Sequence, residues 1–170
     1  TGYWRLFDPN NGYTAIHSSV LNLLPFNKLH KGYFFESDML FRLNLIDAII
    51  LDIPMNASYG DEESNLKILP SIFSFSRKNF RNLIKRIMYK YFLKDFNIGS
   101  IFLIFGNFLF FFGIIYGIIS WHQTIITGVP RTSGTVMVSV LPILVGFQLL
   151  LSFLNYDITR KNKIPLCKKL

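Results

Sequence analysis

Residues 98–121 read IGSIFLIFGNFLFFFGIIYGIISW, and residues 136–154 read VMVSVLPILVGFQLLLSFL. No charged side chain falls between Asp95 and Arg131, and none between Arg131 and Asp157. At about 1.5 Å of helical rise per residue, the first stretch exceeds the roughly 30 Å hydrocarbon core of a bilayer, and the second is close to the minimum spanning length. The pair predicts a transmembrane helical hairpin over residues 98–156, with 122–133 as its turn and 157–170 as a basic tail.

Within the first span Gly99, Gly106 and Gly113 recur at seven-residue spacing, and Gly113 with Gly117 makes a small-xxx-small pair. Such spacing favours close helix approach, for which Ser139 and Gly146 are the matching small positions in the second span. Asn107, Gln148 and Asn155 are the expected cross-pair hydrogen-bonding residues, and Pro142 the expected kink. Neither span contains an acid or a base, which argues against a proton relay or ion pathway. The hairpin reads as an anchor.

Charge divides along the same line. Residues 1–75 hold five basic and eight acidic residues, and residues 76–170 hold thirteen basic and two acidic ones. The overall charge of +8 is therefore not spread as a nucleic-acid binder would spread it; it flanks the hairpin, with only Arg131 between the spans. By the positive-inside rule both flanks are expected in the cytoplasm and the turn outside, making a multi-pass membrane protein.

The leading flank, residues 76–97, predicts a basic amphipathic juxtamembrane helix. Phe80, Leu83, Ile84, Ile87, Met88, Tyr91 and Phe92 recur at three- and four-residue spacing, and cations fill most of the positions between them. Arg77, Lys78, Arg81, Lys85 and Arg86 are the expected contacts to the phosphates of an anionic membrane, with Lys90 and Lys94 on the same cationic face. Packing of this helix on its own domain is the plainer alternative.

Residues 1–75 predict an α/β segment. Tyr3–Phe7 reads as a strand, residues 8–12 as a turn, Tyr13–Leu24 as a helix stopped by Pro25, and Tyr33–Phe35 as a short strand. A helix from about Met39 to Ile46 follows, capped by Ser37 or Asp38, then a buried β-type run over Ala48–Ile53 and an acidic loop over Tyr59–Lys67. Alternation of this kind belongs to an open sheet whose functional groups gather at strand ends.

Glu36 and Asp38 are the carboxylates placed for chemistry, because an acid in the first turn of a helix is held ionised by unpaired amides and the helix dipole. It could then take a proton from an acceptor hydroxyl, orient the acceptor, or simply cap the helix. His17, His30 and His122 have no metal-ligand spacing. Cys167, the one cysteine, excludes an internal disulfide. Asn56-Ala57-Ser58 fits a glycosylation sequon, which a cytoplasmic loop would leave unmodified. The chain opens without Met and in mid-pattern, so more polypeptide is expected upstream.

Four motifs stand in order: residues 2–16, GYWRLFDPNNGYTAI; residues 33–40, YFFESDML; residues 52–55, DIPM; and residues 59–67, YGDEESNLK. Together they resemble the C-terminal half of bacterial family 2 glycosyltransferases of the dolichol-phosphate-mannosyltransferase-like kind, in which a GT-A catalytic domain precedes juxtamembrane helices and a membrane hairpin. The resemblance runs through nearly the whole chain. It implies a partial GT-A-like domain over residues 1–75, and transfer of a sugar from a nucleotide-sugar donor to a lipid-linked acceptor such as a polyprenyl phosphate, or to a glycan.

On that resemblance Asp38 is the catalytic acid, with Glu36 beside it. Asp8, Gly12, Tyr13 and Thr14 line the acceptor side, and Glu63, Ser64 and Lys67 belong to a loop over the donor diphosphate. The family's Asp-x-Asp pair, which holds Mg²⁺ or Mn²⁺, is not in this chain, so no metal residue is assigned and the 170 residues alone are expected to be inactive. The Arg-x-x-Gly-x-Ser-Lys type loop of the polyprenyl-phosphate enzymes is also replaced, by residues 59–67, which leaves the acceptor open. Nucleic acid is not an expected partner, and homo-oligomerisation stays open. The alternative of another class is a non-catalytic, membrane-anchored module that docks a partner protein.

Overall fold

The computed structural model describes residues 1–4, 6–53 and 68–160 and divides into two compact units, one built on Thr1–Lys90 and the other on Tyr91–Arg160. Its elements are α1 (Ser18–Leu21), a 3₁₀ turn (Phe26–Lys28), α2 (Phe35–Leu45), α3 (Ile68–Met88), a π-helical turn (Tyr89–Leu93), α4 (Ile98–Thr127) and α5 (Ser133–Thr159). Among the described residues there is no strand, which overturns the expected α/β segment with a partial GT-A-like sheet.

The physical reason is visible in the first unit. The two runs expected as strands, Tyr3–Phe7 and Ala48–Ile53, do meet, but through side chains rather than a backbone ladder. Tyr3 Oη donates to Ala48 O at 2.7 Å, and Phe7 N donates to Asp52 Oδ2 at 2.8 Å. A sheet requires rows of N–H···O=C bonds between backbones, and two such side-chain ties do not supply one. The expected helix over Tyr13–Leu24 contracts to the four residues of α1. His17 caps it, its Nδ1 accepting from Ser19 N.

Tyr33–Phe35 is not a strand either. Phe34 is the N-cap of α2, which starts at Phe35, two to three residues before the expected Ser37 or Asp38 cap. Glu36 and Asp38 therefore both sit inside its first turn. The helix buries Met39, Leu40 and Leu43 with Leu24 and Ala48, and Tyr3, Leu6, Val20 and Ile50 pack around that cluster. It closes with Asp47 in the left-handed region at φ 55° and Ala48 N donating to Leu43 O, a Schellman-type end.

Partial burial pushes the Tyr3 phenol well above its ordinary range, with Asp47 adding to the effect. Gly2, at φ 94°, supplies both a left-handed backbone and room. A Cβ there would come within 2.7 Å of Arg86 Nη1 and 2.8 Å of the Asn44 amide.

The second unit is the hairpin. Asn97 and Ser100 form a capping box that starts α4 at Ile98, while Thr132 caps α5 by accepting from Thr135 N. The helices run past the expected limits of the apolar stretches, to Thr127 and from Ser133 to Thr159, so the turn shortens to residues 128–132. α5 continues through Pro142. Gly106 faces Gly146 and Gly113 faces Ser139, seven residues forward on one helix against seven back on the other, as antiparallel neighbours require.

The expected cross-pair polar bonds do not form. Asn107 donates to Leu103 O of its own helix at 2.7 Å, and Gln148 and Asn155 are exposed. Polar ties lie instead at the end of the hairpin nearest the termini of the unit. Tyr91 Oη donates to Asp157 Oδ1 at 2.7 Å, Ser100 Oγ donates to Tyr91 O, and Arg160 pairs with Asp95 at 3.1 Å. In the turn, Arg131 folds back onto Ser120 O and Gln123 Oε1 of the last two turns of α4.

Both helices are long and apolar enough to cross a membrane, and only 22 % and 11 % of their most apolar windows are buried within the structure. A core helix of a soluble protein would bury most of that surface. The exposed apolar faces point to membrane association.

Candidate functional site

Three of the four ordered motifs are tied together in the first unit. Asp52, opening the third motif, accepts from Phe7 N in the first, and Ser37 Oγ of the second donates to Asn10 Oδ1 of the first at 3.2 Å. The residue 8–12 turn holds its own shape by Asx bonds: Asn10 N donates to Asp8 Oδ1, and Tyr13 N to Asn11 Oδ1, both at 3.0 Å. Asp8, Gly12, Tyr13 and Thr14 are all exposed on this turn. Glu63, Ser64 and Lys67, expected over a diphosphate, lie outside the described residues, as do the 56–58 sequon and Cys167.

Asp38 is the most constrained acid of the set. It is 5 % exposed, and its two oxygens collect three donors. His30 N lies 3.0 Å and Arg42 Nε 3.1 Å from Oδ2, and Asn82 Nδ2 lies 3.2 Å from Oδ1. Arg42 also reaches back to Lys28 O, tying α2 to the 3₁₀ turn. A carboxylate with this many donors, one of them charged, is fixed in one orientation. Glu36, half-buried two residues earlier, has no hydrogen-bond or ion-pair partner among the described residues. The motif thus presents one fixed carboxylate and one available one.

Asn82 was not among the residues the sequence pointed to. It sits on α3 in the row Lys78, Asn82, Arg86, continued by Lys90 of the π-helical turn, spaced four apart and turned toward the rest of the first unit. Lys78 lies over the Phe34 ring at 5.3 Å, and Arg86 Nη1 sits beside Gly2 and Asn44. Lys90 pairs with Asp47 at 3.0 Å and donates to Asn44 Oδ1 at 3.3 Å. Spacing alone gave no signal for this inward row, because the exposed row Arg77, Arg81, Lys85 repeats at the same four-residue interval.

This corrects the expected direction of the cationic face. Arg86 and Lys90 are 2 % and 5 % exposed and face inward, and Lys78 is half-buried over Phe34. Of the five cations expected on lipid phosphates, Arg77, Arg81 and Lys85 remain exposed. They form a ridge spaced four apart.

Among the described residues no group of three or more His, Cys, Asp or Glu side chains could hold a metal ion. Comparison with protein-family models, with curated proteins and with solved structures gave no match.

Proposed function

We propose that this chain is the membrane-anchored portion of a glycosyltransferase that moves a sugar from a nucleotide-sugar donor to a lipid-linked or glycan acceptor at the cytoplasmic face of a bacterial inner membrane. The ordered motif set carries the reading: segments 2–16, 33–40 and 52–55 are far apart in sequence, yet two hydrogen bonds link all three. A module that served only as an anchor has no need to bring them together.

In this reading the exposed turn carrying Asp8, Gly12, Tyr13 and Thr14 receives the acceptor, next to the first turn of α2. Glu36 is the carboxylate free to accept a proton from an acceptor hydroxyl. Asp38, held by its three donors at the same helix end, orients the acceptor; it becomes a base only if the acceptor displaces a donor. For an acceptor that is already a phosphate, orientation is the larger need. Donor binding, and the Mg²⁺ or Mn²⁺ on its diphosphate, are assigned to polypeptide outside these 170 residues, and Glu63, Ser64 and Lys67 to a loop closing over that diphosphate.

The test is sugar transfer in membranes carrying the product of the uninterrupted reading frame. Radiolabelled nucleotide sugar is followed into lipid-extractable and glycan products. Glu36→Gln is expected to cut transfer by about 10²–10⁴-fold, the usual contribution of a positioned acid–base group, and Asp38→Asn to lower it through lost orientation of the acceptor, with membrane association unchanged in both. Undiminished transfer in both variants refutes the assignment.

A further inference from the structure

α3 has two faces that sequence periodicity alone does not separate. Its inward row of Lys78, Asn82 and Arg86, continued by Lys90 of the π-helical turn, is polar and engaged with α2 and its flanks. Its outward surface is apolar: Ile72, Phe73, Phe80, Leu83, Ile84 and Met88 are all exposed, Phe80 at 63 %. This inverts the usual arrangement of a surface helix, which turns its apolar stripe to the core and its charges to water. Among the described residues of the first unit nothing covers the apolar stripe.

Charge and chain length identify the cover. Arg77, Arg81 and Lys85 run as an exposed ridge along one border of the stripe, so the outward surface combines large apolar side chains with a line of cations and no acid. A helix with that surface suits the boundary between acyl chains and headgroups, where long cationic side chains reach phosphates and aliphatic ones enter the chains. A protein partner would have to supply both an apolar groove and three acids in register. α3 also ends at Met88, ten residues before α4 begins at Ile98, so connectivity alone keeps it near any bilayer the hairpin crosses.

We propose that α3 lies along the surface of an anionic bilayer, with the Ile72–Met88 stripe among the acyl chains and Arg77, Arg81 and Lys85 on lipid phosphates. Its opposite row, through Asn82 on Asp38, then carries the motif segment at the membrane face. This rests on the hairpin spanning that bilayer and is independent of the transferase reading. Each of the three cations strengthens attachment to anionic lipid, and the stripe sets the depth.

The experiment uses the full chain with Cys167→Ser, carrying a single nitroxide-labelled cysteine in place of Phe80, Ile84 or Phe108, in vesicles of phosphatidylcholine with or without phosphatidylglycerol. Depth is read from collisions with oxygen against a water-soluble nickel complex. The Phe108 label on α4 is expected in the acyl region in both vesicle types. Labels at Phe80 and Ile84 are expected below the phosphates with phosphatidylglycerol and to shift toward water without it. Replacing Arg77, Arg81 and Lys85 together by Gln is expected to abolish that shift. Three results overturn the proposal: labels at 80 and 84 that stay in water in both vesicle types, labels shielded from both relaxants as under a protein partner, or a depth indifferent to lipid charge. A Phe108 label found in water removes the spanning hairpin as well, whereas failure at 80 and 84 alone leaves it standing.

Discussion

Replacing Gly146 by Ala tests the hairpin at its closest point. A Cβ at this position would lie 2.5 Å from Phe110 N, 2.8 Å from Gly106 O and 2.9 Å from Phe110 Cα, all backbone atoms of α4 that no rotamer change can move aside. Ordinary contact begins near 3.4 Å, so α4 and α5 must part by most of an ångström for the methyl group to fit. Forcing one methyl group into a packed contact costs about 1–3 kcal/mol, and dispersion along the neighbouring Gly106 and Gly113 contacts weakens with the separation. Gly117→Ala is the matched control, because its nearest neighbour, Ser139 Cβ, stands at 3.5 Å. Unfolding in mixed micelles of rising SDS fraction, followed by Trp121 fluorescence, should show Gly146→Ala lowered by that amount and Gly117→Ala unchanged or slightly raised. Equal stability of the two variants would refute the packing geometry, since they make the same chemical change and differ only in the distance to the facing helix.

Other outcomes follow from the polar contacts. Asn82→Leu leaves the buried Asp38 Oδ1 without its donor and should destabilise the first unit by about 1–3 kcal/mol, seen as faster amide exchange in residues 35–45 with exchange in α4 unchanged. Tyr91→Phe removes the 2.7 Å bond to the buried Asp157 and should lower hairpin stability in SDS by a similar amount; no change would mean the bond contributes nothing net. Because burial raises the Tyr3 phenol, the unfolded chain releases this proton first as pH climbs past the ordinary tyrosine value near 10. The folded form then holds more protons than the unfolded, so stability conferred by the neutral phenol is complete below that pH and falls above it, by up to about 1.4 kcal/mol per pH unit. Tyr3→Phe should flatten the alkaline slope of first-unit stability relative to wild type, while losing the bond to Ala48 O.

The hairpin could be read from sequence because its determinants are local and periodic. The uninterrupted apolar runs each reach spanning length, and the seven-residue glycine spacing needs only a helix to become a seam. The first unit resisted because its order depends on partners remote in the chain. The apolar runs around Tyr3 and Ile50 look like strands, but a strand is completed only by another backbone, and here Tyr3 and Asp52 side chains make the contacts instead. α3 failed in a subtler way. Its apolar stripe and its cations were both evident, but which cations turn inward is decided by Asn44 and Asp47 of the α2 region, more than forty residues away. In the candidate site, Glu36 and Asp38 stood out by their place near a helix start, whereas their unequal surroundings, one oriented by three donors and the other without a partner among the described residues, required coordinates.

The π-helical turn at Tyr89–Leu93 explains how two neighbours can serve opposite masters. A π turn takes in one residue more than an α turn, so the wheel drawn for α3 slips out of phase at this point. Lys90 answers to Asp47 in the first unit, and Tyr91, its immediate successor and fully enclosed, answers to Asp157 in the second. Removing Tyr89 would turn Lys90 about 100° out of line with Lys78, Asn82 and Arg86 and away from Asp47.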